Sequence, residues 1–288
     1  FLFFIFILLN LNRYSGFGND APAHLLYFIL IFYFLECNNE KNANKGFQIL
    51  TIITVYIFLI KSFFILLLIL PLIFFFNNSK DIKIFNTTIY FSFFFILIWF
   101  IKNILVTGCI LYPLNLTCIS NLDWALNPSF ISIEAEAWTK GWPDRINKNL
   151  SYEEYLKDFN WVSTWLNNHL KIILSKLLPF FCILVFLSAI IIFKNIKQKK
   201  IIAKRYHQLI LFNFLFLIIW LITFPNYRFG LGIMCVIISI SFLTIFKDRI
   251  SLENKLFHKS LFFFIILLSL IINLKNIDRI KNKYEIKY

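Results

Sequence analysis

Asp20 and His24 stand four residues apart, one turn of a helix, at the end of the polar stretch Arg13-Tyr14-Ser15-Gly16-Phe17-Gly18-Asn19-Asp20-Ala21-Pro22-Ala23-His24. A carboxylate and an imidazole on one helix face, with Arg13 nearby, could work as catalytic acid/base or metal partners. Asp20 is equally well placed as a helix N-cap, with Pro22 in the first turn, and both readings stay open. Two cations stand inside apolar sequence. Lys61 separates two apolar runs, and Arg228 lies between Phe224 and Phe229, next to Tyr227. A cation near hydrocarbon is expensive unless it reaches water or meets an anion. A lipid headgroup or pyrophosphate would satisfy both, and arginine offers phosphate a two-pronged fork; snorkelling to the interface is the alternative. The two glycines after Arg13 lack the Gly-Lys-Ser/Thr that completes a phosphate loop. No Cys/His spacing suggests zinc, and the four histidines are scattered, so no cofactor is implied; a divalent metal is compatible with Asp20, but no ligand motif is visible.

The elements that must carry these residues are apolar. The chain has 288 residues, is 59% hydrophobic and has a mean hydropathy of +0.74. Nonpolar runs recur along its whole length and leave too little polar sequence to cover a soluble surface. They are Phe1–Leu9 (partial), His24–Leu35, Phe47–Ile60, Ser62–Phe76, Phe85–Val106, Lys171–Phe193, Gln208–Phe224, Phe229–Phe246 and Lys259–Leu274. The expected fold is all-α: a polytopic transmembrane helical bundle of about eight spans plus a partial one, since a straight span needs about 20 residues. Phe1 is not Met and already lies within an apolar run, which fits a chain truncated at its N-terminus. Three parts follow: residues 1–106, a polar insert at 107–170, and residues 171–288. The stretch Phe47 to Phe76 is too long for one untilted helix and fits two short ones hinged at Lys61–Ser62.

Net charge is +14, but the bases lie between apolar runs rather than on a polar face interleaved with aromatics, which excludes a nucleic-acid partner and leaves the lipid bilayer. The connector Lys194 to Arg205 carries six bases and no acid, which by the positive-inside rule makes it cytoplasmic. Alternation then places the insert Thr107 to Leu170 outside, along with the Lys61 hinge and the Pro225–Arg228 turn. The basic tail Lys275–Tyr288 resists this scheme, because its five bases fall on the external side by count.

The insert holds five of the seven tryptophans and seven of the fifteen acids. Within it, Ser151 and Glu154 form a capping box. Tyr152, Tyr155, Phe159, Val162 and Leu166 then recur at three- and four-residue steps, with Glu153 and Lys157 paired along the same face. That pattern predicts one amphipathic helix, lying on the membrane interface or packed on the insert's own core. Cys109 and Cys118 bracket Tyr112-Pro113 at the outer end of a span, where an oxidising compartment would join them in a disulfide; two buried thiols are the alternative. Cys37, Cys182 and Cys235 fall in or beside spans and read as small apolar filler.

The Ile60-Lys61-Ser62 hinge and the Pro225-Asn226-Tyr227-Arg228-Phe229-Gly230 turn resemble features of multi-spanning bacterial glycosyltransferases of the GT-C superfamily. Gly108-Cys109-Ile110-Leu111-Tyr112-Pro113, Cys118, Asp123-Trp124 and Gly18 to His24 are similar to an uncharacterised set of bacterial membrane proteins with that layout. The resemblance implies a protein of the bacterial inner membrane that takes a sugar from a polyprenyl-phosphate donor in cell-envelope glycan assembly. Arg13, Lys61, Tyr227 and Arg228 would then grip phosphate, with Asp20 and His24 as the acid/base candidates. The family's usual acidic base, on the first external loop, would precede Phe1. The rival expectation is a transporter or flippase of lipid-linked glycan, and a non-catalytic membrane protein is the third.

Overall fold

In a computed structural model, residues 2–10, 18–37, 43–83, 86–119, 121–125, 127–193, 204–246 and several between 262 and 281 are described, and they are helical with no strand among them. Eleven helices organise them: α1 (Leu2–Asn10), α2 (Asp20–Glu36), α3 (Ala43–Ile60), α4 (Ile69–Asn77), α5 (Thr87–Thr107), α6 (Pro128–Thr139), α7 (Tyr152–Leu156), α8 (Trp161–Trp165), α9 (Lys171–Phe193), α10 (Lys204–Thr223) and α11 (Tyr227–Phe246). A wide turn at Leu166–Leu170 joins α8 to α9 without a break. Among the described residues, five helical stretches are long and apolar enough to cross a membrane: Ala43–Ile60, Thr87–Thr107, Trp161–Ala189, Tyr206–Thr223 and Tyr227–Phe246. The helical piece Ser62–Asn77 is shorter. The Lys194–Lys200 portion of the basic connector, most of the C-terminal tail and Arg13 lie outside the described residues.

Local chemistry explains the boundaries. Helix α5 starts where the Asn86 side chain accepts the Ile89 N–H at 3.0 Å and stops at Gly108, which takes a left-handed φ of 78°. Helix α3 stops at Ile60 because Lys61 is extended, at φ −146° and ψ 103°. A tight 3₁₀ segment, Ser62–Leu68, then turns the chain back into α4. The Phe47 and Phe75 rings meet at 5.8 Å, so the start of α3 packs on the end of α4 and the two form a hairpin with Lys61 at its tip. Pro225 interrupts α10 and α11 in the same way. Helix α11 is the axis of the bundle: Gly230 to Ile233, Cys235, Val236, Ser239 and Ile240 are all buried. It packs on α10, α9, α2 and α1. Helix α5 is the opposite case, an apolar rod with Phe91, Phe94, Ile98, Ile101 and Leu105 all exposed, as a helix facing lipid requires.

The insert departs from expectation. The capping box at Ser151 and Glu154 is present, but the helix it opens lasts only five residues, Tyr152–Leu156. Asp158 and Phe159 take positive φ of 51° and 59° and break the chain direction before α8. Phe159, expected on the apolar face, is exposed, and Lys157 lies beyond the last helical residue rather than one turn above Glu153. Tyr155, Trp161 and Trp165 pack inward. Tyr155 donates its hydroxyl to the Lys140 carbonyl at 3.0 Å, and Trp165 donates its indole N–H to the Pro225 carbonyl at 2.6 Å. The insert is thus fastened to the top of the bundle at the turn before α11. Hydrogen bonds from the Ser151 backbone and then its hydroxyl hold the Glu154 carboxyl below the usual range. A depressed carboxylate stabilises above its unfolded pKa, and the contribution is lost as pH falls through the lowered folded value. Protection of the 151–155 amides relative to their intrinsic exchange rates should therefore be higher at neutral pH and fall on acidification, while a Glu154→Gln variant shows a flatter profile.

Candidate functional site

Asp20 is the first residue of α2, and Asn19 holds the N-cap position without a side-chain cap bond. The capping expectation for Asp20 is therefore corrected: its carboxylate turns away from the helix end and binds two cations. Asp20 Oδ1 lies 2.7 Å from Lys61 Nζ, and Oδ2 lies 2.8 Å from Arg228 Nη2. The acid is almost fully buried, at 3% side-chain exposure, whereas Lys61 and Arg228 are 28% and 37% exposed. Two positive charges thus share one negative charge, and the side of each cation away from Asp20 reaches the surface. Lys61 also lies 4.4 Å from the centre of the Phe229 ring, a cation–π contact.

Three breaks in helical structure assemble this cluster. The start of α2 brings Asp20, the tip of the α3–α4 hairpin brings Lys61, and the Pro225 turn brings Arg228. The Arg228 N–H is held by Asn226 Oδ1 at 3.0 Å. His24, one turn below Asp20, donates from Nε2 to the Arg228 carbonyl at 2.7 Å; a carbonyl only accepts, so the proton is on Nε2 and Nδ1 carries the lone pair. Nδ1 is buried without a hydrogen-bond partner and lies against Gly232, where an added Cβ would stand 2.3 Å away. Asp20 and His24 are on one helix face, as expected, yet both Asp20 oxygens are engaged and His24 is committed to a backbone carbonyl. Their geometry positions Lys61 and Arg228.

Tyr227 is not part of this cluster. Its backbone N–H points at His169 Nδ1, 3.4 Å away, and its ring lies 5.8 Å from the His169 ring. Cys109 and Cys118 are joined by a disulfide that closes the loop between α5 and α6. Cys37 and Cys235 are buried and Cys182 exposed. Among the described residues, no group of three or more His, Cys, Asp and Glu could hold a metal ion.

Lys61, but not Arg228, lines a cleft of about 430 Å³. Lys61, Ser62, Phe63 and Phe229 form one side of it, Phe216 to Phe224 of α10 another, and Leu111 to Leu114 of the disulfide loop a third. Lys61 is its charged lining residue; most of the rest is apolar. A second apolar groove of about 300 Å³ shares Leu66, Phe216 and Ile219 with the cleft and extends along α10 as far as Gln208.

The sequence carried no signal for the two glycines that permit this packing. Gly232 admits the His24 ring, and Gly230 admits Trp220, whose ring atoms would lie 2.6 Å from an added Cβ. Nor did it mark the buried hydrogen bond from the Tyr27 hydroxyl to Asn213 Oδ1 between α2 and α10.

Residues 1–235 match a family described as a domain of unknown function, DUF8201. The chain belongs to this family. The matched DUF8201 region takes in Asp20, His24, Lys61, Arg228 and the disulfide loop, so the whole cluster is within it. No curated protein and no solved structure matches the chain.

Proposed function

We propose that this DUF8201 protein handles a lipid-linked glycan in cell-envelope assembly, as a glycosyltransferase of the GT-C kind that uses a polyprenyl-phosphate sugar donor in the bacterial inner membrane. The Asp20-bridged pair of Lys61 and Arg228, beside a largely apolar cleft, carries the reading. In it the donor phosphate takes the outward sides of the two cations and the prenyl chain follows the apolar lining. Asp20 fixes the cations and His24 fixes the Arg228 backbone. The bundle in this reading has about eight spans plus a partial one, with the insert and the cleft on the external side.

The test uses the full chain in phospholipid nanodiscs. Native mass spectrometry should show retention of a polyprenyl monophosphate over the uncharged polyprenol, and both Lys61→Ala and Arg228→Ala should lose that preference. Arg228→Ala should also abolish sugar transfer while leaving expression and insertion intact. Equal retention of the phosphate and the alcohol by the native protein would sink the reading.

A transporter or flippase of lipid-linked glycan is the second reading. The polar pair Tyr27 and Asn213, fully buried between α2 and α10, favours it, because buried polar groups within spans often mark a transport path. Movement of the labelled lipid across a vesicle membrane without sugar transfer would decide for it.

A further inference from the structure

The loop from Gly108 to Ile119 is built inside out for a water-exposed segment. Most of its backbone N–H groups are paired internally. Ile119 N–H donates to the Gly108 carbonyl at 2.8 Å and Ile110 N–H to the Thr117 carbonyl at 3.0 Å. Leu114, Thr117 and Cys118 N–H groups donate to the carbonyls of Leu111, Leu114 and Asn115 at 2.8 to 3.0 Å. Polar side chains are used the same way. Thr117 Oγ1 accepts the Leu111 N–H at 3.0 Å, Thr107 Oγ1 accepts the Cys109 N–H at 3.2 Å, and Asn103 Nδ2 donates to the Ile110 carbonyl at 3.1 Å. Apart from Asn115, what the loop turns outward is apolar: Ile110, Tyr112, Leu114 and Ile119 are well exposed, and Leu116 at the tip is entirely so.

In water this arrangement is optional, because solvent can pair exposed amides. In hydrocarbon it is required, since an unpaired backbone group there has no partner. Sequence agrees with the geometry: from Asn103 to Leu122 there is no charged residue, and Lys102 and Asp123 bracket the run. The loop also continues a surface already suited to lipid. It leaves α5 directly beyond the exposed Leu105 and Val106, and the Trp124 indole N–H ties the chain after the loop back to the Ile104 carbonyl at 3.2 Å.

We infer that the disulfide-closed loop Cys109–Cys118 is immersed in the phospholipid leaflet at the C-terminal end of α5, with Leu116 among the acyl chains. Its other edge, Leu111 to Leu114, walls the cleft beside Lys61, so the loop separates that cleft from bulk lipid. The inference stands whatever the cleft binds.

Leu116→Trp tests it, because a fully exposed tip tolerates the change without repacking. The full chain is placed in phosphatidylcholine nanodiscs, and the emission added by the new indole is obtained by subtracting the unsubstituted protein. The added emission should be blue-shifted, should lose most of its intensity when the lipid chains are brominated, and should be indifferent to iodide in the buffer. Quenching by iodide with no response to brominated chains would place Leu116 in water and overturn the inference. Silence toward both quenchers would overturn it too, since the tip would then be covered by protein, such as a second copy of the chain.

Discussion

Truncating Asp20 to alanine should destabilise the protein by about 3 kcal/mol, the scale found when one partner is removed from a buried ionic group and the others are left uncompensated. Lys61 and Arg228 would then face each other across the space the carboxylate held, each at a hydrocarbon boundary and with only partial access to water. Thermal unfolding in detergent measures the loss, and two further outcomes separate architecture from ligand binding. If the pair also serves phosphate, Asp20→Asn should regain much of its stability when a polyprenyl monophosphate is added, because the ligand supplies the missing negative charge. Replacing all three residues with leucine should restore stability toward the native level, as substitution of complete buried ionic clusters often does. It should also eliminate discrimination between the phosphate and the alcohol. An Asp20→Ala protein with the melting profile of the native chain would remove the cluster from any structural account.

The second large effect is expected at Gly232. An alanine there would bring its Cβ within 2.3 Å of His24 Nδ1, and the ring has no room to retreat, being enclosed by Phe28 and Phe64 and held by the Arg228 carbonyl. Overpacking of this kind costs about 2 kcal/mol. The clash would push on the residue that orients the Arg228 backbone, so phosphate preference should fall along with stability. His24→Ala combined with Gly232→Ala should be more stable than Gly232→Ala alone, the signature of two residues that act on each other. Additive losses would mean that the ring and the glycine are not in contact.

Residues that interrupt an apolar run were legible in the sequence, and the links between them were only partly so. Lys61 marks its hinge because a cation between two apolar runs is costly unless the chain there reaches water or an anion. Arg228 marks a turn for the same reason, reinforced by Pro225. That both would bind Asp20 was hidden, because the local pattern at Asn19 to Pro22 fits a helix cap equally well and nothing local encodes an ion pair across most of the chain. The helix expected from Ser151 onward failed at Asp158 and Phe159. There the apolar spacing persists, but the backbone turns left-handed, and spacing does not report φ. Tyr227 was grouped with Arg228 by adjacency, yet successive residues at the start of a helix point in different directions, and this one faces His169. Gly230 and Gly232 stand out only once the rings they admit are known.

The continuous helix Trp161–Ala189 has 29 residues, or about 43 Å at 1.5 Å per residue, against a hydrocarbon core of about 30 Å. It must therefore tilt or extend beyond the core, and Trp165 pins its first turns to Pro225, just before the bundle's central helix. No break separates this end of the insert from the span, so a displacement at Trp161 would be felt at Pro225, which Trp165 holds, and thus beside the turn that presents Arg228. Mechanical load on the insert would reach the ion cluster without any change in the cluster's own chemistry.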